Sequence, residues 1–312
     1  MKKIVVALGG NAILQAGQRG TAPEQLANIQ EACRHVADMI QAGYQVVLTH
    51  GNGPQVGNIL IQNEAASQLV PALPLDVCGA ETQGLIGYLL QQSLTNILRQ
   101  QQLERPVVTV VTQVVVDSAD PAFQSPTKPV GPFYSAETAA RLAAEKGYVL
   151  REDRARGGWR RVVASPEPVR IQERDSIRQL IDAGAMVIAA GGGGVPVVET
   201  DGRLQGVEAV IDKDLASERL ATDVGAEILL ILTDIEAVAI NWGQPDQRFL
   251  EQVSVDQARV WQAEGHFQAG SMGPKVTAAC RFVENGGEMS IIASLSSAML
   301  ALQGRSGTRF TR

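Results

Sequence analysis

Cysteine, histidine and lysine are all scarce in this chain of 312 residues, and each scarcity narrows what it can do. The three cysteines, Cys33, Cys78 and Cys280, are too far apart in sequence for a disulfide framework or a metal cluster. That usage points to a reducing cytosol and a cytoplasmic location. The three histidines supply no persuasive general base. His35 reads as a surface residue, His266 sits in the loop "AEGHFQAG" with no evident partner, and His50 at a strand end reads as structural. G-x-S-x-G, H-E-x-x-H and G-x-x-x-x-G-K-[ST] are all missing, which removes the usual hydrolytic elbow, the zinc-protease helix and the P-loop. No apolar run reaches the roughly 18–20 residues that a membrane span needs. The opening "MKKIVVALGGNAIL" puts two lysines before an apolar run, but Gly-Gly-Asn interrupts it and no small-residue cleavage site follows. It reads as a first strand, not a signal peptide. A net charge of −6 argues against general nucleic-acid binding.

Lysine is where scarcity becomes informative. Of 27 basic residues only six are lysine, at positions 2, 3, 128, 146, 213 and 275; the rest are arginine. Three of the six fall in turns rich in Gly, Pro or Asp: Lys128 in "SPTKPVGPF", Lys213 in "IDKDLA" and Lys275 in "GSMGPKV". Lysine is a compact point charge, whereas arginine is a planar fork. Lys213 is also misplaced for stability, because it opens a helical pattern (Ala216, Leu220, Val224) whose positive end favours acids. The acids on either side answer that in part: one can orient the ammonium by a charge-assisted hydrogen bond and the other can cap the helix.

The remaining pattern is a soluble α/β one. At roughly 150 residues per domain, the length suggests two lobes. Apolar residues make up 45% and charged residues 19%, enough for a large core. "KKIVVAL" (2–8) is a buried parallel strand, residues 24–41 an amphipathic helix closed by Gly43, and "QVVLTH" a second strand. A helix follows over 78–100, then a third strand over 106–116. Alternation of this kind predicts a parallel sheet covered by helices through right-handed crossovers. Residues 117–168, Pro-rich and then charged, interrupt the rhythm and read as a partly hairpin-like insert holding a helix at 135–146. "AMVIAAGGGGVPVV" resumes it, "AEILLILTDIEAVAIN" (226–241) is a long strand ending in Thr-Asp, and "MSIIASL" (289–295) a last strand.

Four strands run straight into small polar loops: "GGN" (9–11), "HGNGPQVG" (50–57), "GGGG" (191–194) and "TD" (233–234). In an open parallel sheet, ligands bind at the carboxyl ends of strands, and bare glycine amides there suit an anion. Phosphoryl transfer needs little covalent help from a protein but does need positive charge around the moving group. Three isolated lysines and Gly-loop amides meet that need, and an acceptor that is already an anion needs no base. A nicotinamide site is a weaker fit. The third glycine of "GNGPQVG" is one place late, and Glu64 and Asp76 are the nearest candidates for a ribose-binding acid.

The motifs "VVALGGNAIL", "THGNGPQVGN", "PLDVCGAETQGLIGYLLQQSL", "PTKPVGPFY", "RRVVASPEP", "GGGGVPV", "EAVIDKDLAS", "LTDIEAV" and "GSMGPKV" occur in this order nearly end to end. Together they resemble the carbamate kinases, a branch of the amino acid kinase superfamily; "PTKPVGPFY" and "HGNGPQVG" favour that branch over acetylglutamate or aspartate kinases. The resemblance implies a three-layer αβα sandwich with a mainly parallel open sheet and a protruding inserted subdomain. It implies an N-terminal lobe over 1–225, with the insert at about 117–168, and a nucleotide-binding lobe over 226–312. The implied reaction is ATP + carbamate ⇌ ADP + carbamoyl phosphate with Mg²⁺, in a cytoplasmic homodimer. In the family it commonly runs toward ATP, in the breakdown of arginine or related nitrogen compounds. Residue by residue, the resemblance puts Gly9, Gly10 and Asn11 around the transferred phosphate and Gly51, Asn52 and Gly53 on the carbamate side. Lys128, Lys213 and Asp214 are the implied catalytic residues, Thr233, Asp234, Met272 and Lys275 lie near the nucleotide, and no side chain is assigned to metal. A superfamily kinase with another small carboxylate substrate and a non-catalytic binding homologue are the rival readings.

Overall fold

The β-branched run after Met1 forms the middle of the main sheet. The computed structural model describes residues 1–154, 157–267 and 271–312. Parts of three stretches read above therefore lie outside the described residues: 155–156 of the charged half of the insert, and the end of "AEGHFQAG" with the first residue of "GSMGPKV" at 268–270. The chain begins β1 (Lys3–Leu8), α1 (Ala22–Gln41), β2 (Gln45–His50), α2 (Gly53–Ala66), α3 (Leu75–Gln100), β3 (Val107–Thr109) and β4 (Gln113–Val116). The insert supplies β5 (Lys128–Tyr134), α4 (Ala136–Lys146), β6 (Leu150–Asp153) and β7 (Gly158–Val163). There follow β8 (Pro168–Ile171), α5 (Arg174–Asp182), β9 (Met186–Ile188), β10 (Val195–Thr200), β11 (Arg203–Gly206), α6 (Lys213–Asp223) and β12 (Ile228–Thr233). The last part holds a short hairpin, β13 (Ala239–Ile240) and β14 (Arg248–Phe249), then β15 (Gln252–Ser254), α7 (Val255–Ala263), α8 (Met272–Glu284), β16 (Met289–Ser294), α9 (Ala298–Leu302) and β17 (Thr308–Thr311).

Eight strands form the main sheet in the order β15-β17-β16-β12-β1-β2-β9-β3. All neighbouring pairs are parallel except β16–β17. Alternate residues of β1 feed opposite faces, which is why the run is apolar throughout. Val5 and Ala7 pack with Ile177 and Ile181 of α5, Leu220 of α6 and Phe282 of α8. Ile4, Val6 and Leu8 pack with Ile29 and Val36 of α1 and Ile86, Leu90 and Leu94 of α3. The result is the three-layer αβα sandwich. β1 pairs with β12, so one sheet crosses the residue-225 boundary.

The insert closes on itself as a small antiparallel sheet, β5-β7-β6, beside α4, which Ser135 caps by accepting from the Thr138 N–H. No helix among the described residues is long and apolar enough to cross a membrane.

Three strand expectations need correction. The strand over 106–116 is two strands in different sheets, with β3 in the main sheet and β4 in a second sheet of order β11-β10-β4-β8. Gln83 of α3 marks the break: its side-chain amide accepts from the Thr112 N–H and donates to the Thr112 carbonyl, which also accepts from the Val195 N–H of β10. The long strand over 226–241 stops at Thr233, and its tail returns as β13 of the hairpin. β16 is not the last strand, because β17 follows and pairs antiparallel with it.

Candidate active site

Five neighbouring parallel strands, β16, β12, β1, β2 and β9, end along one edge of the sheet. Their loops must therefore meet there. Two cavities open along this edge. The first, of about 770 Å³, is lined by Gly9, Gly10, Asn11, Thr233, Asp234, Glu236, Met272 and Ser294, among others. The second, of about 640 Å³, lies under the insert and is lined by Gly51, Asn52, Gly53, Lys128 and Asp212, among others. Gly10, Lys213, Ser271 and Lys275 line both, and so mark where the cavities join.

At that junction two ammonium groups share one carboxylate. Lys213 Nζ lies 2.6 Å from Asp214 Oδ1, and Lys275 Nζ lies 2.9 Å from Asp214 Oδ2. Asp214 is 3% exposed. Burial alone would raise its carboxyl, but the two ammonium groups outweigh that and hold it down at about 2. Lys213 is the first residue of α6 and Lys275 lies in the first turn of α8, so two helix N-termini add positive potential at the same point. Lys128 heads β5 and pairs instead with Asp212, Nζ to Oδ2 at 2.9 Å. Asp212 also caps α6, its Oδ1 accepting from the Asp214 N–H. Three ammonium groups against two carboxylates leave one net positive charge between the cavities. Such a site can hold an anion and offset charge that builds up on a transferring group.

The glycine loops differ in function. The N–H groups of Gly9 and Gly51 are engaged by the carbonyls of Leu232 and Leu8. Amides open to an anion therefore come from the residues after them, including Asn52 and Gly53 at the start of α2. "GGGG" serves close packing. A Cβ at Gly191 would collide with the His50 ring, and one at Gly192, where φ is +67°, with the Asn52 side chain. His50 is fully buried, its Nδ1 2.9 Å from the Gly51 carbonyl. Burial pushes its pKa down to about 4, with Lys213 adding to the fall, so the ring is neutral at ordinary pH. Asn52 is held by a hydrogen bond to Thr82 Oγ1 of α3 (2.7 Å).

Gly9, Gly10, Asn11, Gly51, Asn52, Gly53, Lys128, Lys213, Asp214, Thr233, Asp234, Met272 and Lys275 each line one cavity or both, whereas Glu64 and Asp76 line neither and "GGGG" reaches only through Gly192. Asn11 Nδ2 donates to Asp234 Oδ2 (3.1 Å), and Thr233 donates to the other oxygen of the same carboxylate (3.0 Å), tying the ends of β1 and β12 together. Several contributors had no sequence signal: Thr82 behind Asn52, Glu236 held by Ser294 and Ser297, and Asp212 as the partner of Lys128. Two histidine readings change. His266 has a partner, Glu264, at 3.4 Å, and it lines a side cavity with Trp242 and Met272. His35 is half-buried at the mouth of the first cavity beside Glu31.

The chain belongs to the amino acid kinase family, whose profile matches residues 2–294. Within that family it falls among the carbamate kinases. It is 56% identical to the carbamate kinase of Thermococcus kodakarensis over 315 aligned positions that cover the whole of both chains. It is 47% identical to that of Clostridium perfringens, covering 99% of this chain and 100% of the relative. The solved structure of Giardia lamblia carbamate kinase bound to AMP-PNP superposes with a TM-score of 0.95 at 48% identity, covering 99% of this chain and 98% of that one.

Proposed function

We infer that the chain transfers a phosphoryl group reversibly between ATP and carbamate, giving ADP and carbamoyl phosphate. The observation that carries this reading is the convergence of Lys213 and Lys275 on the buried Asp214 where the two cavities join. The nucleotide occupies the first cavity, against Thr233, Asp234, Met272 and Lys275; the AMP-PNP bound by the Giardia relative supports this. Carbamate occupies the second, against Gly51, Asn52, Gly53 and Lys128. A carbamate oxygen attacks the γ-phosphorus as the bond to the β,γ-bridging oxygen breaks, and that electron pair leaves on ADP. Carbamate is already an anion, so no side chain has to remove a proton. Lys213 and Lys275 offset charge on the moving group, Asp214 keeps both ammonium groups in place, and Gly9, Gly10 and Asn11 border the transferred phosphate.

Mg²⁺ fits as a companion of the nucleotide. Asp214 is occupied by two lysines, Asp234 is bonded by Asn11 and Thr233, and Glu236 by Ser294 and Ser297. No group of three or more metal-type side chains occurs among the described residues. Phosphate oxygens and water would hold the ion, which lowers the charge that the reactants present to each other. The finer points of the reading are ATP synthesis in arginine or related nitrogen-compound breakdown, a cytoplasmic setting supported by three free buried cysteines, and lobes dividing near residue 225. A homodimer is supported by exposed apolar side chains on and just before α3: Leu69, Val70, Val77, Leu85 and Tyr88.

A coupled assay with carbamoyl phosphate, ADP and Mg²⁺ is expected to yield ATP. Absence of ATP from folded protein overturns the reading.

A further inference from the structure

Asp212 uses its two oxygens for different tasks. Oδ1 accepts from the Asp214 N–H and caps the helix that begins with Lys213. Oδ2 accepts from Lys128 Nζ at 2.9 Å, on the first residue of the insert's first strand. Other polar bonds among the described residues also tie the insert to the body: Arg281 of α8 to Glu167, the Val210 N–H to the Ala164 carbonyl (3.0 Å), Tyr134 Oη to Glu64 Oε2 (2.9 Å), and an Arg161 guanidinium N–H to Glu208 Oε2 (2.6 Å). The last two belong to a separate small cavity. Lys128 and Asp212 line the second cavity itself.

We propose that Asp212 is a positioning residue that couples the insert to the catalytic helix, setting Lys128 and the Lys213–Asp214 turn in register with one carboxylate. The pair is suited to this. Lys128 retains 33% of its side-chain exposure and Asp212 15%, so an arriving anion can share the ammonium without uncovering a dry charge. The bond spans 84 residues of sequence and joins a separately formed small sheet to the end of the main one. β5 pairs with β7 from Lys128 onward, so a shift of Lys128 is carried into the insert's sheet.

Asp212→Asn separates the two tasks. Asparagine caps a helix about as well as aspartate, but with its one oxygen on the cap it turns an NH₂ toward Lys128. The inference rests on the phosphotransfer reading, so two measurements are made on the full-length enzyme. In the ATP-forming direction, Asp212→Asn is expected to lower kcat/KM by about three- to tenfold, and Lys128→Ala combined with Asp212→Asn to be no worse than Lys128→Ala alone. In amide hydrogen exchange, both single variants are expected to speed exchange of β5 equally, while the first turn of α6 stays protected in Asp212→Asn. Kinetic losses that multiply in the double variant, or β5 exchange unchanged in Asp212→Asn, overturn the coupling. An inactive unmutated enzyme refutes the phosphotransfer reading instead, and the exchange result still decides the coupling.

Discussion

Two lysine–aspartate arrangements stand side by side at the sheet edge, and they differ in depth. Lys213 and Lys275 keep 15% of their side-chain exposure and Asp214 keeps 5%. The Lys128–Asp212 pair, under the insert, is about twice as exposed or more on each side. In a drier site the same charges interact more strongly and are screened less. The inner trio is therefore a preorganised fixture, held by helices α6 and α8 whose inner faces are locked in the core. The outer pair joins the insert to the body through a bond that water and ligands can reach. One part of the site keeps its geometry while the other can adjust to the substrate.

The sharpest way to break this comparison is to remove a member of the inner trio. Lys213→Ala is expected to cut turnover by about a hundredfold or more, roughly 3 kcal/mol of barrier, while ADP still binds. Steady-state kinetics with ADP titration calorimetry checks it, and a loss confined to KM would make the inner lysine a binding group only.

Acid should also act on the inner region first. The neutral form of His50 is favoured in the folded state, whose pKa is about 4 against 6.5 when exposed. The unfolded chain therefore binds the extra proton between these values. Stability is fully present above pH 6.5 and falls as pH drops toward 4, by at most about 3 kcal/mol from this residue. Asp214 follows the same sign lower down, its contribution lost between its ordinary 3.8 and about 2. Denaturant melts of the unmutated protein and of His50→Gln across pH 7 to 4 test the first window; equal slopes in the two proteins would exclude His50 as its source.

The smallest effect belongs to the outer pair. Lys128→Ala should lower kcat/KM for carbamoyl phosphate about tenfold, about 1.4 kcal/mol, with KM carrying much of the change. Near-normal turnover with near-normal KM would remove the insert from the reaction.

Much of the site was legible because its residue types were out of place. Lysines in an arginine-rich chain, glycines at strand ends and a cation opening a helix each depart from what stability alone selects, and Lys128, Lys213, Lys275 and the glycines of the first two loops reach the cavities. The partnerships were not legible. Lys275 meets Asp214 across 61 residues and Lys128 meets Asp212 across 84, and no spacing rule links such positions. The break between β3 and β4 was hidden for a similar reason: the valine run looks continuous until Gln83, 29 residues earlier, pins Thr112. β17 was missed because "TRFT" is too short to show an alternation.

The amino-acid order by itself determined the alternating α/β elements, the glycine loops at the strand ends, and the few lysines available beside them. Those follow from local pattern and charge, which act over a few residues. Only the tertiary structure decided which acid each lysine faces, how dry each pair is, and that the insert and helix α6 share Asp212. Those depend on packing between distant segments, because burial and hydrogen-bond partners belong to the assembled sheet and not to any stretch of chain.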